Sequence, residues 1–279
     1  MKISFSAAVG CLLLLPFISL AQESPSGKWS LFNPVPAHSL GEMYTDRPGV
    51  TETPFVVGAG HLQVETDLAS YSRQTNDEER EVTLLYNNAI VKIGLFSQTD
   101  LQIGLESYGR RKVTQLAGGE SQTTRGIGDL TLRVKRTLIG SPESTFSLAV
   151  LPYVTFPTAR YDESDLYEGG LLIPMNFKVS DSWEIGVQVE GDRKRDDDDK
   201  GVHTELLQSL SVNHDFASKV QGVFETYYTY DTKQHHWTNY LNAALQLEVA
   251  KDVKLDAGLN YGLQHDAQRT CFLGASFRF

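Results

Sequence analysis

Arg269-Thr270-Cys271-Phe272-Leu273-Gly274-Ala275-Ser276-Phe277-Arg278-Phe279 decides the fold. Taken two by two, it puts Cys271, Leu273, Ala275, Phe277 and Phe279 on one face and Thr270, Phe272, Gly274, Ser276 and Arg278 on the other. That is the period of a β-strand. One face is apolar and the other mostly small or polar. A soluble sheet gives the same alternation, so the rest of the chain has to decide what the apolar face meets.

The 279 residues carry a formal net charge of −10 and 41% hydrophobic residues. Beyond the N-terminus no apolar run approaches twenty residues, which excludes transmembrane helices. Lys2, the apolar run from Ala7 to Leu20 and the small-residue site Ser19-Leu20-Ala21 predict a secretory signal peptide over residues 1–21, removed on export. Cys11 precedes the leucines 12–15 instead of following them, so no lipoprotein anchor is expected. Cys271 is then the one cysteine of the mature chain, which can form no internal disulfide. Loss of Lys2 takes the charge from −10 to −11 and argues against nucleic acid as a partner.

Residues 22–60 are rich in Pro, Gly and Ser without sustained periodicity, and predict an extended N-terminal segment. From His61 the period changes to two. Leu62, Val64, Thr66 and Leu68 oppose Gln63, Glu65, Asp67 and Ala69. A second strand over 81–95 is interrupted at Asn87-Asn88, where a bulge is expected. Alternation recurs around 101–108, 130–135, 146–154, 171–177, 183–190, 206–212, 220–228, 241–249 and 253–259, and closes with the strand quoted above. Long polar loops are expected at 110–125, 157–167, 193–202 and 231–236, separated by short turns.

The count is twelve. Strands of ten residues or so exceed the soluble average of about five or six and suit a tilted membrane crossing. Long and short connections alternate, and an even number lets the first and last strands pair and leave no edge. The expected fold is all-β: a closed antiparallel transmembrane β-barrel over residues 61–279. Its final strand resembles that of bacterial outer-membrane barrels, with Phe277 and Phe279 as the assembly signal. The expected location is the outer membrane of a Gram-negative bacterium. The charged residues opposite the apolar face become lumen-lining candidates: Glu65, Glu106, Arg133, Lys135, Glu184, Glu190, Glu225, Glu248, Lys254, Asp256 and Arg278. Tyr71, Tyr108, Trp183, Tyr228, Tyr230, Trp237 and Tyr261 fall near strand ends, where interfacial girdles belong. Pro152 and Pro174 misfit a closed barrel and call for bulges or for strands extending beyond the membrane.

Thr45-Asp46-Arg47-Pro48, then Glu52-Thr53-Pro54 and Gly60-His61-Leu62-Gln63-Val64-Glu65, resemble the opening of the outer-membrane family named for the meta-pathway of phenol degradation and regarded as transporters. Gly126-Ile127-Gly128-Asp129-Leu130 and Phe156-Pro157-Thr158 resemble its internal motifs, although Ala159 stands where that family has glycine. The resemblance spans 43–279. It implies a porin-like barrel that passes small hydrophobic or aromatic solutes, with outer-membrane lipids, lipopolysaccharide and the barrel-assembly machinery as partners, as a monomer. Residues 22–60 either enter the lumen, with Arg47 pairing to a carboxylate such as Glu65, or form a periplasmic tail.

No cofactor, metal site or catalytic residue is expected. Ser211 has inward parity and His214 lies near a turn, which disfavours a lipid-facing dyad. Asp196, Asp197, Asp198, Asp199, His203, Asp231, His235 and His236 supply the residue types of an outer-membrane protease without motif-grade spacing. The aspartate run lacks the glycine and terminal glutamate of a calcium loop and reads as a hydrated loop. An enzyme or adhesin built on the outer loops, or a structural barrel with a closed lumen, are the alternatives to transport.

Overall fold

The structure, a computed structural model, describes residues 29–162, 164–196 and 201–279. The signal peptide expected at 1–21, and Asp197, Asp198 and Asp199, lie outside the described residues. The strands are β1 (Leu62–Thr75), β2 (Glu79–Phe96), β3 (Thr99–Gln115), β4 (Ser121–Gly126), β5 (Leu130–Ile139), β6 (Phe146–Phe156) and β7 (Glu168–Lys178). They continue with β8 (Trp183–Arg195), β9 (Val202–Ala217), β10 (Val220–Asp231), β11 (His236–Ala250), β12 (Val253–Gly262) and β13 (Arg269–Arg278). β4 and β5 both pair with β3, β4 along its upper half and β5 along its lower half, so the two count as one barrel strand. Twelve antiparallel strands therefore close on themselves where β13 meets β1.

Polarity is inverted relative to a soluble protein. On β11, Leu245 is 58% exposed and faces out, whereas Asn242 and Gln246 are buried. The largest fully buried side chains include Lys135, Gln102, Gln188 and Glu225. Hydrocarbon outside explains this pattern: it rewards apolar side chains there and demands that every backbone group be paired in the sheet. At one rim the Tyr230 and Trp237 rings lie 4.3 Å apart, tilted to one another, with Tyr228 5.1 Å from the same indole.

The structure corrects three expectations. Residues 110–125 are not a loop: β3 runs on to Gln115 and β4 returns from Ser121, so a hairpin projects past the membrane. β8 likewise runs on to Arg195 and β10 to Asp231, whereas the connection from Phe156 to Glu168 is as long as expected. Pro152 and Pro174 need no bulge. The β5–β6 ladder skips from Arg133↔Tyr153 to Arg136↔Val150 in unchanged register, while Pro152 stays paired with Leu171 on β7. The β6–β7 ladder likewise skips from Leu148↔Met175 to Leu151↔Leu172, and Pro174 keeps its place opposite Gln188 on β8. Each proline turns its missing N–H toward the interrupted side.

At Asn87 the backbone is left-handed (φ 53°), but the register against β1 and β3 does not change. Leu68, Asn87 and Ser107 are all left out of the ladders at one level. Three neighbouring strands thus carry an extra residue together, and the inside–outside alternation resets. Glu106 meets Tyr161 within the barrel, whereas Tyr108, two residues on, is exposed.

Candidate functional site in the barrel lumen

The chain reaches β1 through an extended stretch with one short 3-10 turn at Ala37–Ser39. Met43, Phe55, Val57 and Ala59 of this stretch are buried. Pro48 and Pro54 keep it from folding into regular structure. Its polar groups find their partners among the inward side chains of the strands.

Asp46 is the hub. Its carboxylate pairs with Lys92 of β2 at 2.5 Å and Lys135 of β5 at 2.7 Å, and also accepts the amide and hydroxyl of Thr53. Burial pushes this carboxyl up, but Lys135 and Lys92 outweigh burial and hold it below the usual carboxylate range. Lys92 also pairs with Glu65, and Lys135 with Glu52 at 3.1 Å; Arg133 pairs with Glu52 as well. With Lys135 fully buried, these charges persist only because each is compensated.

Arg47 reaches the other way. It pairs with Asp67 of β1 at 2.6 Å and grips both oxygens of Asp256 on β12, with its guanidinium 5.4 Å from the Phe272 ring centroid. Asp256 arrives there by strand parity, being two residues from Lys254 and opposite Gly274. Glu65 accepts the backbone amides of Asp46 and Arg47, so the expected Arg47–Glu65 pairing is replaced by a main-chain contact. Farther round, Glu225 of β10 accepts the amides of Val50 and Thr51 and the Thr51 hydroxyl, which also meets Ser209 of β9. The Glu52 amide donates to Gln188 of β8. Residues 46–53 therefore touch strands on all sides of the ring.

Past this stretch, Val57 donates to Asp100 and lies against β2. A Cβ on Gly94 would sit 2.2 Å from the Gly58 carbonyl oxygen, which is backbone and has nowhere to go. Gly94→Ala is expected to push residues 57–58 off β2 at a cost of about 1–3 kcal/mol. Faster chymotryptic cleavage at Phe55 in the folded barrel would register it, and an unchanged rate would count against this docking.

Above the crossing segment, the connection after β6 folds inward. The Tyr161 ring lies against Gly109, and its hydroxyl donates to Glu106. Burial, then Glu106, raises the Tyr161 pKa. Asp129 accepts the amides of Thr158 and Ala159 and pairs with Arg195 at 3.2 Å. Ala159 does not take a left-handed backbone, so alanine fits where glycine was expected. The outer mouth is a cavity of about 470 Å³ in which Glu79, Glu81, Asp162, Glu168 and Asp196 face Arg111 and Arg195. At the opposite mouth a cavity of about 110 Å³ borders residues 44–53 and includes Glu184, Asp215 and Lys254.

Of the candidates, Arg47, Glu65, Arg133, Lys135, Glu225 and Asp256 meet in the crossing network. Glu106 serves the folded connection, and Glu190 accepts from Gln188 above the crossing. Glu184, Glu248 and Lys254 line the mouth at the end of the barrel where Phe279 meets Leu62. Arg278 is bound to Asp252 and to the carbonyls of Gly41 and Glu42. Phe277 is half-buried and Phe279 exposed on the outer side. Sequence reasoning passed over Lys92, although it alternates with Val91 and Ile93, and over Asp100, which it assigned to a turn.

His203 lies between Asp196 at 2.9 Å and Asp231 at 3.5 Å on the outer rim. His235 contacts Tyr230, and His236 is 3.9 Å from Asp266. Ser211 points inward, whereas His214 stacks on Trp183 at 4.0 Å on the outer face. Among the described residues no three His, Cys, Asp or Glu side chains converge as metal ligands.

Residues 45–279 match the model of the family described as "Putative MetA-pathway of phenol degradation". No curated protein matches the sequence. Among solved structures, an outer-membrane channel from Pseudomonas putida F1 is similar with a TM-score of 0.60 and 14% identity, over 83% of this chain and 99% of that one. The transport unit of the autotransporter AIDA-I from Escherichia coli is similar with a TM-score of 0.50 and 11% identity, over 87% and 95%. At such identities the likeness is one of fold. The closed barrel with its lipid-compatible exterior belongs in the bacterial outer membrane.

Proposed function

The chain belongs to the MetA-pathway phenol-degradation family over residues 45–279, and from that premise we propose an outer-membrane channel for small neutral aromatic or hydrophobic compounds, closed by its own N-terminal segment. The observation that carries this reading is the crossing of the lumen by residues 46–53, bound to β5, β8, β9 and β10 as well as to β1 and β12. Solute passes when that stretch shifts. The outer mouth sets the charge preference: five carboxylates against two arginines repel anions, so a phenol is favoured over a benzoate. In this reading the barrel is a conduit and not an enzyme, and the charges of Asp46, Arg47, Glu52, Lys92, Lys135 and Asp256 serve to hold the segment across the lumen.

Thr51 Oγ1 and Ser209 Oγ lie 2.7 Å apart, which suits a reversible lock. In a Cys271→Ser background, Thr51→Cys with Ser209→Cys is expected to be silent in planar bilayers when oxidised and to conduct when reduced. Neutral phenols should interrupt the reduced current more than benzoates of equal size. Equal currents in both redox states would end the gating proposal. Silence in both would leave a structural barrel with a closed lumen.

A further inference from the structure

The first part of the segment, up to Arg47, returns repeatedly to the seam where β1 meets β13, beside the pairs of Asp46 with Lys92 and Lys135 and the bonds from Gln246 of β11 to Thr45 and Arg47. We infer that residues 35–47 staple this seam, a role in barrel closure separate from obstruction of the lumen. The seam is the ladder that joins the residues farthest apart in sequence, so it has the largest loop-closure cost, and its register slips between Asp67 and Ala69. Arg47 spans it: the guanidinium holds Asp67 on β1 and Asp256 on β12, and so passes over β13 between them. Gly274 of β13 makes the passage possible, because a Cβ there would lie 2.1 Å from Arg47 Nη2.

The same arrangement repeats at the end of the barrel. Arg278 of β13 donates to the carbonyls of Gly41 and Glu42. His61, directly before β1, sets one ring nitrogen 3.0 Å from the Phe279 carbonyl oxygen and the other 2.7 Å from that of Val35. Phe279 and Leu62 exchange backbone hydrogen bonds at this point, so the last residue of the chain, the first strand and the segment meet in one knot. Residues 49–53, by contrast, make no hydrogen bond or ion pair to β1 or β13 among those of the described residues: they hold Glu225, Ser209 and Gln188 on the far wall and, through Glu52, Arg133 and Lys135 of β5. Obstruction of the lumen alone does not call for the contacts that Arg278 and His61 make with residues 35–42 at the end of the barrel.

The test is amide hydrogen exchange on the full-length barrel in detergent, comparing the β1–β13 ladder with the β10–β11 ladder. Arg47→Met and Gly274→Ala are each expected to speed exchange at the seam by on the order of tenfold or more and to leave β10–β11 unchanged. Gly274→Ala touches no charge, so it covers the case in which Arg47→Met fails to assemble. Glu225→Gln, which loosens the far half, is expected to leave the seam as it was. Seam exchange that ignores both Arg47→Met and Gly274→Ala would overturn the staple. So would a Glu225→Gln variant that accelerates the seam as much as they do.

Discussion

Asp46→Ala is expected to release the crossing segment more completely than any other single change. Asp46 is shared by Lys92 and Lys135, whose side chains are 4% and 0% exposed, and its loss leaves both ammonium groups short of a partner in the barrel interior. Removing one member of a buried ion pair costs about 3–5 kcal/mol, because the remaining charge is stranded. Lys92 keeps Glu65 and Lys135 keeps Glu52, so the loss falls within that range and is not doubled. It falls on the docked state alone, since an undocked segment leaves the lysines to water. Asp46→Asn retains an acceptor for Thr53 but no charge, and should sit between wild type and alanine. The measurement is chymotryptic cleavage at Tyr44 in reconstituted vesicles alongside single-channel current. Both should rise in Asp46→Ala, and wild-type protection at Tyr44 would show that the pair of lysines does not hold the segment.

This hub was only partly legible beforehand, for physical reasons. Strand parity placed Glu65, Lys135 and Asp256 inside because a two-residue period puts them opposite the face of Val64, Val134 and Leu255. Lys92 obeyed the same rule and could have been found by it. Asp100 could not, since the turn before it is shorter than its polar residues suggest and β3 begins at Thr99. The partner of Arg47 lay beyond any local reading: Asp256 is 209 positions away, and only the closure of the ring brings it near. The coordinated extra residues at Leu68, Asn87 and Ser107 were visible as a single interruption at Asn87-Asn88 because the other two fall within runs that still alternate on either side. The two prolines were legible as misfits, but which neighbouring ladder each would interrupt depends on which way its nitrogen faces, and alternation alone does not specify that.

Glu225→Ala has the second largest expected effect, and it acts by a different physical route. Glu225 is fully buried and is held by donors: the amides of Val50 and Thr51 at 2.9 and 2.6 Å, the Thr51 hydroxyl at 2.5 Å and the Asn242 amide at 2.9 Å. Backbone amides aimed at one carboxylate make charge-assisted hydrogen bonds, which are stronger than those to a neutral acceptor. Alanine leaves those two amides unpaired at a cost of about 1–3 kcal/mol each, whereas the hydroxyl keeps Ser209. Glu225→Gln presents one acceptor and one donor to a site lined by donors, so it relieves only part of that loss. The expected result is a segment loosened at 49–53 and still fixed at Asp46, with fast hydrogen exchange at Val50 and Thr51 and brief, partial current steps in place of the sustained opening of Asp46→Ala. Because the loss is one of hydrogen bonds and not of ion pairs, high salt should change the Glu225→Ala current pattern little. If the amides of Val50 and Thr51 stay protected in Glu225→Ala, the far wall is held by something other than this carboxylate.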